Sequence, residues 1–384
     1  MKNFSLTCHA LNVSVREYVL SNNAAKRFQY QVSQDSSELH KEVTKSYAWG
    51  KLLNMCTICS PASQKSSVMI SFYLKVELYH SIISTPFLAY RSLNWDPVVC
   101  TEFMNSVIAF SETEPLLVET ISAKAGEKCD LEMEIRKRFH GFFLDQNREL
   151  TPAYGLWMSM LLHTQKTMED KGRLFMILFG PTKCISGKEL IDWNTLSEKN
   201  LTKAESNRII QPLSSKIYCL LSLRELNLEF SWCYIALFNL MEEITSAPKS
   251  WTLDNFACLL LMESKLMRIA FYFRLNHSAW KEAATIFHAI KAVYHRRGCE
   301  RLENFTATFL NIFRLLSPLQ RRHFFAQIIM MQTQILRSHL HNRPCQYFIV
   351  HFFMNLNRRK FHNEMAATGN IAPLLTLLSM NIVN

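Results

Sequence analysis

Residues 302–320 read LENFTATFLNIFRLLSPLQ, and this stretch decides the fold. Leu302, Phe305, Phe309, Ile312 and Leu316 stand three and four apart, which lines one face of an α-helix. Ser317-Pro318-Leu319-Gln320 then opens a second helix. Serine and glutamine three apart can each satisfy the other's free backbone N–H, and proline at the first helical position surrenders a donor that has no partner there. The face of this second helix is Phe324, Ile328, Met331 and Ile335. Upstream, Leu259, Met262, Leu266, Ile269 and Phe273 repeat the same spacing. The joining segments, Asn276–Ser278 and Gly298–Cys299, are short, so successive helices must lie antiparallel and packed together. Helix starts near 253, 300 and 345 fall 47 and 45 residues apart, a spacing that suits HEAT-like helix pairs, although no motif is shared between them. The expected class is all-α, either an α-solenoid-like array or a large helical bundle.

Composition agrees. Nine Gly and 11 Pro in 384 residues are about half of ordinary usage, which argues against β-sandwiches and Gly-rich nucleotide folds. With 48% hydrophobic and 20% charged residues the chain can bury a large core, in two to three domains or one long array. The upstream part reads more irregularly. Phe4, Leu11, Val15 and Val19 mark a first amphipathic helix within residues 1–28, helical stretches follow at 47–59 and 98–110, and 68–83 between them is apolar at mixed spacing. Residues 111–130 are charged and irregular. Ile135, Phe139, Phe142 and Phe143 mark one helix, Thr151-Pro152 opens another, and Phe175–Phe179 stops at Gly180-Pro181. The Lys- and Ser-rich segment 182–211 reads as a polar loop or linker. It divides a first helical region, 29–181, from a basic C-terminal helical region, 212–384.

Charge is uneven. The chain carries 43 Lys and Arg against 32 Asp and Glu, a net +11, and residues 251–384 hold 16 against 6, or +10 of it. Arg296-Arg297, Arg321-Arg322-His323 and Arg358-Arg359-Lys360 sit near helix ends, where they can line one rim of an array and dock an acidic protein, a phosphoprotein or nucleic acid. Helix ends also favour basic residues for the sake of the dipole alone. Eleven scattered cysteines fit a reducing, intracellular setting. The first twenty residues, with His9, Arg16 and Glu17, do not read as a secretory leader. The longest uncharged apolar runs, 231–241 and 324–336, fall short of the ~18 residues a bilayer span needs, so no membrane partner is expected.

No constellation supports catalysis, and no cofactor or metal is expected. Cys56-Thr-Ile-Cys59 has half the spacing of a zinc site, with no second pair to close it beyond the distant His40 and His80. The run from Gly180 to Gly187-Lys188-Glu189 echoes a phosphate loop, but six residues separate the glycines and Glu189 puts a negative charge where phosphate would lie. It reads as a helix stop and a turn. His339 and His341, two apart, cannot converge from one helix face, and His288 and His295 lack a nucleophile or carboxylate partner.

Two regions carry a family resemblance. Leu6-Thr-Cys8-His-Ala-Leu11, continued by Val13, Val15, Arg16 and Val19, resembles the closing helix of an F-box. Tyr18–Phe28, Leu174–Pro181, Ala247–Met262 and Leu316–Phe325 are similar to the F-box only protein 47 family. The resemblance implies a non-catalytic substrate-recognition subunit of an SCF-type ubiquitin ligase. A Skp-family adaptor and the cullin ligase core would be its partners, and an unidentified protein its target. It also implies germ-cell and meiotic work, in the nucleus and/or cytoplasm. Leu6, Cys8, Leu11 and Val15 are the residues that match the adaptor-facing or core surface of that motif. An F-box begins with Leu-Pro-x-Glu upstream of such a helix, and the chain from Met1 lacks it, which implies a truncated or degenerate F-box. The other class the residues leave open is a helical scaffold without ligase function that binds chromatin, nucleic acid or acidic proteins through the basic third.

Overall fold

The computed structural model describes residues 97–144, 152–225, 232–296 and 302–340. Thirteen α-helices, one π-helical turn and one two-stranded hairpin make up the described elements, so the fold is all-α. The chain divides into two compact units, Met1–Trp193 with Cys219–Pro248 and Asn194–Tyr218 with Lys249–Asn384.

In the first unit, α1 (Pro97–Phe110), α2 (Glu114–Ser122) and α3 (Cys129–Phe139) lead into a π-helical turn, His140–Leu144, followed by α4 (Pro152–His163) and α5 (Met168–Phe179). The region 111–130 therefore contains a helix, α2, whose Leu117 and Thr120 bury one side while Glu114, Val118 and Glu119 face out. α5 starts where the Thr167 hydroxyl accepts the Asp170 N–H at 3.0 Å and stops at Gly180. A Cβ at Gly180 would collide with the Met176 carbonyl, so the stop requires glycine. α5 packs between α3 and α8 (Tyr234–Ser246). Gly172 sets that spacing: a Cβ there would lie 2.8 Å from Glu243 Cβ.

Residues 182–211 are not a loop or linker. Strands β1 (Thr182–Ile185) and β2 (Lys188–Ile191) pair antiparallel, with Thr182 opposite Ile191 and Ile185 opposite Lys188. Ser186 and Gly187 form the turn with φ of 50° and 79°, which glycine adopts at no steric cost. β2 packs on α3. A short helix, α6 (Thr195–Glu198), follows, and α7 (Lys203–Glu225) runs straight through the expected boundary at 211/212, with Pro212 on its exposed side. Polar composition concealed this because the segment buries only a few anchors, among them Ile191, Trp193, Leu196, Leu201 and Ile210.

In the second unit, α9 (Leu253–Met262), α10 (Ser264–Asn276), α11 (Trp280–Arg296), α12 (Leu302–Leu315) and α13 (Pro318–Leu340) stack in two layers. α11 packs on both α9 and α13, while α10 packs on α12, so each helix meets its second neighbour along the chain. That is the contact pattern of stacked repeats, in which each unit contacts its neighbours. Phe271, Phe287, Phe309 and Phe324 fill the space between the layers, with ring centroids 4.6 Å apart for Phe287–Phe309 and 5.6 Å for Phe271–Phe309. The run Leu259–Phe273 is two helices rather than one: extended backbone at Glu263 breaks it, and the Glu263 carboxylate accepts the Lys265 N–H to cap α10.

Candidate partner-binding surface

The second unit neutralises part of its own positive charge. Asp254 pairs with Arg296, Glu282 lies 4.0 Å from Arg274, and Glu263 is spent on its cap. Of the cations, Lys265 donates to the Tyr218 hydroxyl at 3.3 Å and lies over its ring. Arg274 is buried against the Phe256 ring. Lys291 is buried, and lost hydration pushes its ammonium down to about 8. Arg268, Lys281, Arg314 and Arg322 remain exposed, without a carboxylate partner among the described residues.

Two of these, Arg314 and Arg322, flank the corner between α12 and α13. The corner is built as its sequence dictates. The Ser317 N–H donates to Gln320 Oε1 at 2.9 Å, and the Gln320 N–H donates to Ser317 Oγ at 3.3 Å, which closes the reciprocal cap. Arg321 reaches back to the carbonyls of Phe313 at 2.9 Å and Arg314 at 2.8 Å, with its guanidinium 5.8 Å from the Phe313 ring. A cation on the carbonyl end of α12 complements that helix's dipole. The corner thus has fixed geometry, and it presents Leu315 and Leu319 at 71% and 64% exposure. Beside it, His323 stacks on Trp280 at 6.0 Å.

The two basic clusters that fall among the described residues, at Arg296 and at Arg321-Arg322, lie at opposite ends of neighbouring helices. Trp280 meets His323, and His288 meets the Ile328 carbonyl at 3.0 Å, so α11 and α13 run in the same direction. Arg296 closes α11 about 24 Å along its axis from Trp280, at ~1.5 Å per residue, whereas Arg321 and Arg322 open α13. Arg321 is a cap and Arg296 an ion-pair partner; Arg322 alone of the three is open. Arg297, Arg358, Arg359 and Lys360 lie outside the described residues, as do Leu6, Cys8, Leu11, Val15, His40, Cys56, Cys59, His80 and His341.

Other titratable clusters are internal. Glu132, fully buried, accepts from the Gly126 N–H and from Trp193 Nε1, both at 2.9 Å, and lies 3.6 Å from Arg173. Arg173 also donates to the carbonyls of Ile121 and Ala123 at the end of α2. His288 is buried between α11 and α13, and desolvation pushes its imidazole down to about 4. Burial likewise lowers His163, which packs against the Trp232 ring at 5.3 Å. Among the described residues no group of three His, Cys, Asp or Glu side chains could hold a metal ion. No described helix is long and apolar enough to cross a membrane.

Residues 109–384 match the family FBXO47, ARM repeats. The chain belongs to this family. Human F-box only protein 47 is 22% identical over 308 residues, covering 76% of this chain and 63% of the human protein. The mouse protein of the same name is 21% identical over 231 residues, covering 56% of this chain and 48% of its own length. The chain thus spans about half to two thirds of the curated relatives it matches. No solved structure matches it.

The matched family is one of ARM repeats, and α9–α13 form a helical array in which second neighbours along the chain touch. Sequence reasoning missed the Leu315–Leu319 corner because both leucines look like ordinary members of apolar helices. The one available signal was Leu316, whose place on the 302-305-309-312 stripe leaves Leu315 off the buried face.

Proposed function

We propose that this chain is the substrate-recognition part of an SCF-type ubiquitin ligase, with its helical repeats holding a protein target. The observation that carries this reading is membership of the FBXO47 ARM-repeat family across residues 109–384, joined to the F-box-like run Leu6–Val15. In this role the N-terminal segment docks on a Skp-family adaptor through Leu6, Cys8, Leu11 and Val15, and the cullin core supplies the rest of the ligase. The chain itself forms no bond. It raises the effective concentration of a target lysine near a ubiquitin-charged enzyme, which is catalysis by proximity. The setting is intracellular, in the nucleus and/or cytoplasm, with meiotic germ cells as the tissue to examine first.

Co-expression of the complete gene product with a Skp-family adaptor and cullin tests this. Co-purification that falls on Leu11→Asp is the expected result. An adaptor that fails to co-purify with a folded chain overturns the ligase role.

A further inference from the structure

We propose that the α12–α13 corner is a docking site for an acidic protein segment carrying an aliphatic or aromatic anchor. This rests on the substrate-recognition reading and names the chemistry of the segment that is held.

Leu315 and Leu319 are the two most exposed large apolar side chains among those described. They stand on a turn fixed by the Ser317–Gln320 cap and by Arg321 on the carbonyls of Phe313 and Arg314. A preorganised apolar pair loses little freedom on binding, so it suits an anchor contact. Its flanks are Arg314 and Arg322, both exposed and without a carboxylate partner among the described residues. Glu282, in the first turn of the adjoining α11, is directed to Arg274. The corner therefore presents two leucines between uncompensated guanidiniums, and the complementary ligand places carboxylates on either side of an apolar side chain.

A protein segment fits better than the other anionic surfaces. Two open cations would give nucleic acid a salt slope of only about two, with non-specific affinity to match. The neighbouring Trp280 ring is already stacked on His323 and gives no free platform for a base. A lipid surface needs a longer basic run, or an acyl chain, for stable attachment.

The test is a phage-displayed library of random 15-residue peptides panned against the complete chain, and against Leu315→Ser/Leu319→Ser and Arg314→Glu/Arg322→Glu variants. All four positions are exposed, and unchanged circular dichroism and melting temperature certify each variant's fold. The expected result is enrichment of peptides with two or more Asp or Glu around a Leu, Ile, Met or Phe. Their affinity should fall at least about tenfold in each variant, the loss that an anchor residue carries. No enrichment, enrichment without acidic residues, or affinity indifferent to the substitutions overturns the proposal. So does a corner-dependent interaction seen only with a single-stranded oligonucleotide or with phosphatidylserine vesicles. Adaptor co-purification should be the same in all variants. Loss of peptide binding with adaptor retained leaves the ligase reading standing, and peptide binding without adaptor leaves the corner standing, so the two can fail separately.

Discussion

The two units solve the same problem, burying helix faces, with different chemistry. The first ties its elements with long-range polar bonds. Arg136 donates to the carbonyls of Ile177 and Gly180 at 3.2 and 2.8 Å, Arg173 to those of Ile121 and Ala123, and Trp232 to Ser159 Oγ at 3.0 Å, while buried Glu132 accepts from Gly126 and Trp193 and pairs with Arg173. The second is centred on interlocked phenylalanines, and the polar groups it also buries, such as Arg274, His288 and Lys291, sit on single helices beside them. Asn255 is its one polar hub with several long-range bonds among the described residues: it bonds the carbonyls of Leu196 and Lys199 and the Leu201 N–H, pinning the segment around α6. A buried polar hub is directional and fails when one member is lost. An apolar stack is non-directional and fails in proportion to the volume removed.

The sharpest way to break this contrast is Glu132→Ala, which leaves Arg173 without its carboxylate in a largely buried site and costs about 3–5 kcal/mol. Hydrogen exchange should then lose protection in 121–132 and 173–193 while 253–335 keeps its own. Loss spread evenly over both units would remove the distinction. Phe309→Ala, the mirror experiment, costs a similar ~3–5 kcal/mol, read as lost protection in α10–α13.

Next comes pH. His288 has a folded value of about 4 against an ordinary 6.5, so its neutral form is the one the fold favours. Its contribution is complete above pH 6.5 and is lost as pH falls from 6.5 to 4, by about 3 kcal/mol in all. Lys291, at about 8 against 10.5, adds a second rise in stability between pH 8 and 10.5. Urea midpoints of His288→Phe and Lys291→Met across pH should each lack one of these two rises. Gly172→Ala, which crowds Glu243, should cost ~1–3 kcal/mol in the first unit by the same measurement. The smallest effect belongs to Ser317→Ala, about 1 kcal/mol, because it removes one cap bond and leaves the other.

Much of the second unit could be read from spacing, since a 3.6-residue stripe and a Ser-x-x-Gln cap are local signals with local causes. The cap at 317–320 formed as written. What spacing could not show was a partner distant in sequence. Arg321 reads as part of a free basic cluster until the carbonyls of Phe313 and Arg314 are brought beneath it, and Arg296 does so until Asp254, 42 residues away, pairs with it. The break at Glu263 carries neither Gly nor Pro, so an uninterrupted apolar stripe concealed two helices. The hairpin at 182–191 was hidden for the opposite reason: β1 is nearly all exposed, so no apolar alternation marks it.

Second-neighbour stacking in the 253–340 region also governs how it yields under tension. Each helix touches the one two places along the chain, so touching residues stay within a few tens of positions of one another. Pulled from one end, an array held by neighbour contacts alone is expected to give way piece by piece rather than all at once, like a spring made of successive turns.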